Sequence, residues 1–461
     1  MTIHDGTEKP NLVRLIRRFS ISGLTGQFGR TAFGSLLLKV TNVCLGFTLA
    51  IVLARVLGAE GYGTYAYVFS LISILAIPAQ FGLPKLVLRE TARAQVREQW
   101  SLMRGVWRWS SLMTLAMTIA LALIALGTAW LFQSRFAPVQ LHTFYWGIAL
   151  VPLIAFGALR GAALQGLRRV IIGKLPETTV RPVLLVAVIL VLAYLGEELS
   201  ASRAMAIHAV AAAVAFGFGA LWLRQNRPVA LRDKPVPQYQ SRRWITAILP
   251  LALTAGLFKI NQYSDILILG LFKDAENVGS YRVAVQGSLL VAFGLQCAEL
   301  VISPYIVRLY ERNDSLKLQD LTLIVAKIAS IIAIVGVSIF IFFGKTLLVT
   351  VFGEAFKQAY IPLVILSIGQ VFNSTFGPVA FLLNMTQNER APLQAMAVAA
   401  TVNILLNLSL IPHFGLAGAA SATSLALAIW NFLLWRSVRN RLGIESLFPV
   451  YYFKRLKSKK S

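Results

Sequence analysis

From Ala32 onward, long apolar runs alternate with short polar connections. The clearest case is Ala32 to Arg93, where AFGSLLLKVTNVCLGFTLAIVLARV and TYAYVFSLISILAIPAQFGLP flank the turn LGAEGYG and a basic segment follows. Each run is about 20 residues or more, enough at 1.5 Å per residue to cross a roughly 30 Å hydrocarbon layer as a helix. The pattern predicts twelve such spans. Six lie near 32–56, 63–84, 106–132, 142–163, 176–195 and 203–223, and six near 244–272, 279–303, 321–343, 357–383, 392–411 and 416–438. The polar, proline-bearing stretch 224–243 separates the two sets and reads as a linker between lobes.

The two sets resemble each other. Gly63-Thr64-Tyr65 corresponds to Gly279-Ser280-Tyr281, and Lys39-Val40-Thr41-Asn42 to Lys259-Ile260-Asn261-Gln262. Gly157 to Val183 and Gly377 to Asn403 both pass from an apolar span through a short polar turn into another span. The correspondence steps over six spans, an even number. The halves therefore have parallel topology, related by a pseudo-two-fold axis along the membrane normal with a cargo site between them. The expected architecture is an all-α polytopic membrane protein of two six-helix bundles around a central cavity.

Composition sharpens this picture. Only 14% of residues are charged, 57% are hydrophobic, and the mean hydropathy is +0.69. Soluble proteins carry about 25% charged residues. Cys44 and Cys297 both fall inside apolar runs, and the four histidines (His4, His142, His208, His413) are scattered, so no disulfide, metal or cofactor framework is expected.

The net charge of +25 is not a nucleic-acid footprint, because the basic residues are dealt into alternate loops instead of one face. One set of connections, including 1–31, 85–105, 164–181, 224–243, 304–322, 385–392 and 436–461, holds 32 lysines and arginines, against 5 in the other set. The positive-inside rule then puts both termini in the cytoplasm. Residues 1–31 do not read as a cleavable signal. Within them, Asn11 to Phe28 spaces Leu12, Leu15, Ile16 and Phe19 as an interfacial helix would, with a basic tail as the alternative. The expected division is a segment 1–31, a bundle 32–223, the linker 224–243, a bundle 244–438 and a basic tail 439–461.

The stretches LARVLGAEGYGTYAYVFSLISIL and FGLPKLVLRETAR resemble the first hairpin of the Wzx-type oligosaccharide flippases. SDILILGLFKDAENVGSYRVA, FGEAFKQAYIPLVILSIGQVFNSTFGP and LIPHFGLAGAASATSLALAIWNF resemble later parts of the same family. That family belongs to the multidrug/oligosaccharidyl-lipid/polysaccharide exporter superfamily. The resemblance implies alternating access in the bacterial inner membrane. It also implies a cargo of undecaprenyl-pyrophosphate-linked oligosaccharide moved to the outer leaflet for O-antigen, exopolysaccharide or capsule synthesis, with polymerases as pathway partners. It names no individual site residues.

Candidate site residues follow from charge inside apolar runs, which is costly and marks pathways. Lys259 lies about 15 residues, or roughly 22 Å, into its span. It reads as a cavity cation for pyrophosphate, with burial against an acid or carbonyls as the alternative. Lys39 is shallower, about 10 Å in, and snorkelling competes. Asn42 and Gln262 stand three residues after their lysines and share a helix face with them, and Asn261 adds an amide. Arg55 and Arg282 sit near the outer ends of spans 1 and 8. Asp265 is the candidate coupling acid for H⁺ or Na⁺, with an ion pair to Arg282 as the competing reading. Three other classes remain open: a membrane glycosyltransferase, polymerase or ligase on the same lipid-linked sugars, a drug/cation antiporter, and a peptidoglycan-precursor flippase. The short outer loops and the lack of paired carboxylates weigh against an enzyme. No P-loop is present, so no ATP-driven step is expected within the chain.

Overall fold

A computed structural model of the chain describes residues 27–135, 137–233 and 235–447. The expected interfacial helix at Asn11 to Phe28 and the end of the basic tail fall almost wholly outside them. Among the described residues there is no strand. The helices are α1 (Gln27–Gln80), α2 (Leu83–Val96), α3 (Trp100–Leu131), α4 (Pro138–Gly166), α5 (Val170–Leu175), α6 (Arg181–Tyr194), α7 (Ala201–Gln225), α8 (Ser241–Phe272), α9 (Ala275–Glu311), α10 (Ser315–Phe352), α11 (Tyr360–Phe376), α12 (Val379–Met385) and α13 (Arg390–Leu442). A π-turn at Pro176–Val180 fuses α5 and α6 into one span, Val170–Tyr194.

Ten of these segments are long and apolar enough to cross a membrane. The count becomes twelve because α1 and α13 are each two helices joined at a glycine. Gly58 (φ 68°) and Gly415 (φ 54°) occupy the left-handed region that a side chain disfavours, and there the chain turns back. Both arms of α1 line one cavity, Gly46 to Leu53 beside Tyr62 to Phe69. A straight helix would hold those stretches roughly 25 Å apart. The segment 85–105, expected as a loop, instead contains the amphipathic helix α2. Its buried Glu90 pairs with Arg89 at 3.2 Å and Arg93 at 3.3 Å, and its Leu83, Leu86 and Val87 pack on Trp244 and Ile248 of α8.

The two repeat-related helices meet at their glycines. A Cβ on Gly63 would strike the Ala275 carbonyl and the Gly279 nitrogen, and one on Gly279 would strike the Ala59 carbonyl and the Gly63 nitrogen. The contact is reciprocal, as a two-fold relation requires. Small residues there let two backbones touch. The main core continues from this crossing through both halves, with Leu53, Tyr65, Ile72, Ile266, Tyr281 and Phe356 among its members.

The same end is sealed by other contacts between the halves. The Arg55 guanidinium donates to the carbonyls of Thr350 and, at 2.9 Å, Val351. Phe47 meets Phe352 edge-on at 5.8 Å, and Tyr62 meets Phe356 at 6.4 Å. Toward the other end the two seams differ. The α8 seam stays packed, with Gly256 against Ile77 and Gly82 against Ala252. The first arm of α1 loosens, and between residues 36 and 49 no side chain is buried. The linker is fastened to the first half: Arg104 donates to the Pro235 carbonyl at 2.7 Å, and the Gln238 amide to the Ser101 carbonyl at 3.0 Å.

Substituting valine at Gly63 or Gly279 should lower the melting temperature of the detergent-solubilised protein, consistent with an overpacking cost of about 1–3 kcal/mol. Gly127→Val, where a Cβ meets nothing within 4 Å, should leave it nearly unchanged. Equal melting temperatures for all three variants would refute the close crossing.

Candidate functional site

The residues named from the sequence fall into three places. Lys259 is half-buried on α8, with its Nζ 5.3 Å from the centre of the Tyr263 ring. It lines a cavity of about 370 Å³ between the halves. Ser73, Ile77, Gln80 and Lys85 form the wall from the first half, and Ala252, Thr254 and Phe258 the wall from the second. The void therefore carries two ammonium groups and no carboxylate. Two cations in one apolar-walled space favour an anion entering it. Asn261, one helical step away, is instead tied across to α13, where Asn403 donates to its Oδ1 at 3.3 Å. Gln262 is exposed.

Lys39 and Asn42 lie on the loosened part of α1, half-buried and exposed respectively. The charge of Lys39 acts on Glu299 of α9. The two repeat-related lysines thus have different surroundings, one beside an acid and one over an aromatic ring. Arg55 belongs to the seal described above.

Arg282 lines a smaller cavity of about 110 Å³ where the first half meets α9. Here the sequence reading missed most of the constellation. Arg181, His208, Gln286, Tyr62 and Tyr65 share this cavity with Arg282. The Tyr65 hydroxyl bonds to the His208 Nδ1 at 2.7 Å. Arg181 pairs with Glu177 at 3.4 Å, and Glu177 pairs also with the buried Arg160 at 3.2 Å. Two guanidinium groups thus share one carboxylate, and Arg282 adds a further positive charge. The signal for Arg181 was its four-residue spacing from Glu177 at the start of the span expected near 176–195, which puts both on one helix face. His208 stands in an alanine-rich span with no polar neighbour in sequence, so only its pairing with Tyr65 reveals it.

Asp265 is buried on α8 and forms no ion pair among the described residues. The Tyr281 hydroxyl donates to it at 2.8 Å, the Thr423 hydroxyl at 3.4 Å, and the Ile266 amide at 2.8 Å. The anticipated bridge to Arg282 gives way to these three neutral donors. Tyr281 and Thr423 repeat the pairing of Tyr65 with His208: in each half the tyrosine of the glycine-bearing span bonds to the last span of its bundle. The repeat position of Asp265 in the first half is Leu49, so the acid is confined to the second half.

Two helical halves that touch at the glycine crossing and along α8, with cationic voids at their seam, define a polytopic transporter architecture. Solved structures share it. The chain superposes on an inward-facing MATE-family multidrug resistance transporter of the MOP superfamily with a TM-score of 0.73 at 15% identity, covering 89% of this chain and 98% of that one. It superposes on the lipid II flippase MurJ in an inward closed conformation with a TM-score of 0.66 at 15% identity, covering 87% of each. Residues 28–310 match the polysaccharide biosynthesis protein family, and the chain belongs to that family. Among curated relatives it is 23% identical over 381 residues to a probable low-salt glycan biosynthesis flippase, Agl15 of Haloferax volcanii, spanning 82% of this chain and 76% of that protein.

Glu177→Gln should sharply lower thermal stability, because it leaves Arg160 and Arg181 sharing no carboxylate; breaking a buried pair costs roughly 3–5 kcal/mol. Glu197→Gln, which removes an exposed pair to Arg203, should cost about 1 kcal/mol or less. Melting curves of the two variants in the same detergent check this, and similar curves would dissolve the shared-carboxylate arrangement.

Proposed function

We propose that this chain is a flippase that carries a lipid-linked oligosaccharide across a bacterial inner membrane for surface polysaccharide synthesis. The carrier lipid is undecaprenyl pyrophosphate, and the direction is from the cytoplasmic to the outer leaflet. The observation that carries the reading is the pair of lysines, Lys85 and Lys259, in a carboxylate-free void at the seam of a polysaccharide-family fold. A pyrophosphate needs compensating cations on its way through an apolar layer, and lysine supplies them as point charges. Sugar hydroxyls would meet the amides of Asn42 and Gln262, which are exposed.

The bundles 32–223 and 244–438 act as the two moving bodies. The glycine crossing and the Arg55 seal hold their outer ends together, while the loosened arm around Lys39 and Asn42 admits the headgroup from the cytoplasmic side. Arg282 and Arg181 stand further along the same route. Asp265 serves as the coupling group for H⁺ or Na⁺: its carboxylate is held by neutral donors from spans 8 and 12, so a change in its charge bears on how those helices pack. Both termini face the cytoplasm, and polymerases of the same pathway receive the product.

In a deletion strain, Lys259→Ala should insert normally but fail to restore the surface polymer, with the lipid-linked intermediate accumulating. Asp265→Asn should behave likewise in the same assay, with its residual transport insensitive to the ion gradient. Full complementation by Lys259→Ala would remove the basis for the pyrophosphate route.

Orientation is checked in a Cys44→Ser, Cys297→Ser background carrying one new cysteine at Val229. That thiol should resist membrane-impermeant reagents on whole cells and react after permeabilisation. Labelling from outside would invert the topology.

A further inference from the structure

A third cationic void is walled by the first half and the start of the linker. It has a volume of about 380 Å³ between α3, α4 and α7. Arg104, Arg108, Arg160 and Arg227 line it, together with Trp107 and Phe216, and no carboxylate does. All four arginines sit at one end of the bundle. Arg104 and Arg108 are in the opening turns of α3, Arg160 is near the end of α4, and Arg227 follows the end of α7. This is the end that carries the basic connections.

The arginines are unequally engaged. Arg160 is buried and fixed, donating to the Phe216 carbonyl at 2.8 Å and to Glu177 at 3.2 Å, yet its Nε is buried with no hydrogen-bond partner. Arg227 lies over the Trp107 ring at 5.9 Å. Arg108 and Arg227 are exposed and make no hydrogen bond or ion pair among the described residues.

The rest of the wall is apolar: Phe156, Leu159 and Leu223. Beyond the cleft, α3 exposes Leu112, Leu115 and Ile119, and α7 exposes Phe218 and Leu221. A free inorganic anion would take the guanidinium groups but leave the apolar wall and the exposed leucines uncovered. An acyl-bearing phosphate would not, because its chains can lie along the exposed leucines while its headgroup takes the guanidinium groups.

We propose that this cleft binds the phosphodiester headgroup of an anionic phospholipid from the surrounding bilayer. Arg108 and Arg227 are the donors that close over the phosphate, and Arg160 holds a fixed positive charge at the floor. Each basic side chain near an anionic lipid surface contributes about 1 kcal/mol, so removing Arg108 and Arg227 together should weaken the site about 30-fold. The site is independent of the transport reading, since it concerns the lipid that surrounds the protein and not its cargo.

The test is native mass spectrometry of the full chain in non-ionic detergent, titrated with phosphatidylglycerol or phosphatidylcholine of matched chains. The unmodified protein should retain phosphatidylglycerol in preference to phosphatidylcholine. Arg108→Gln with Arg227→Gln should lose that preference by about 30-fold, and Arg227→Gln alone by about fivefold. Arg441→Gln, exposed on the other half, should keep it. Three results would overturn the assignment: no preference in the unmodified protein, an undiminished preference in a normally folded double variant, or displacement of phosphatidylglycerol by inorganic phosphate, which would make the cleft a small-anion site.

Discussion

The structure depends on two backbones touching where Gly63 meets Gly279. The hydrophobic effect gives little drive for one apolar helix to choose another inside lipid, so close packing and hydrogen bonds must decide the arrangement. At this crossing each glycine lies against the carbonyl-bearing turn of the other helix, Ala275 in one direction and Ala59 in the other. As where Gly82 meets Ala252, the halves therefore touch backbone to backbone at this point. Aromatic edges at Phe47, Phe352 and Phe356 fill the space around that point. The Arg55 side chain satisfies the carbonyls of Thr350 and Val351 at the end of α10, which that helix leaves unpaired. Away from it, the seam is free to differ on its two sides, packed along α8 and loose along the first arm of α1.

The likeness of the two halves is visible in this geometry, and so are their differences. Each half closes on itself through the tyrosine of its glycine-bearing span, but with different chemistry: Tyr65 reaches His208, whereas Tyr281 reaches Thr423 and Asp265. The first half accumulates arginine around a single acid, Glu177, and the second keeps its one deeply buried carboxylate among hydroxyl groups. Lys259 and Asp265 thus share one helix of the second half, whereas the arginines gathered on Glu177 belong to the first.

Most of the architecture was legible because it follows from length and polarity. Twenty apolar residues can only be a spanning helix, and the repeat of Gly-Thr-Tyr as Gly-Ser-Tyr exposed the two-fold relation. The segment after the first hairpin was misjudged as a loop, because the helix α2 is short and carries arginines. Its helicity rests on tertiary contacts with Trp244 and Ile248 and on the buried Glu90, which sequence period alone does not reveal. The site was legible in part. Lys259 stood out because a charge deep in an apolar run has few explanations. Arg181 and His208 did not, since Arg181 gains its meaning from sharing Glu177 with Arg160 of α4, and His208 from Tyr65 at a separation of 143 residues. Lone polar residues in apolar spans acquire meaning only when the fold brings them together.

The fastening of the linker to α3 has a mechanical consequence. Gln238 is the last tethered residue and α8 begins at Ser241, so only Tyr239 and Gln240 lie between the clamp and the second bundle. Two residues reach roughly 7 Å when fully stretched. The connector therefore offers almost no slack. Any rocking of one bundle on the other is transmitted as torsion at those two positions, and the linker works as a short torsion bar in place of a loose strap.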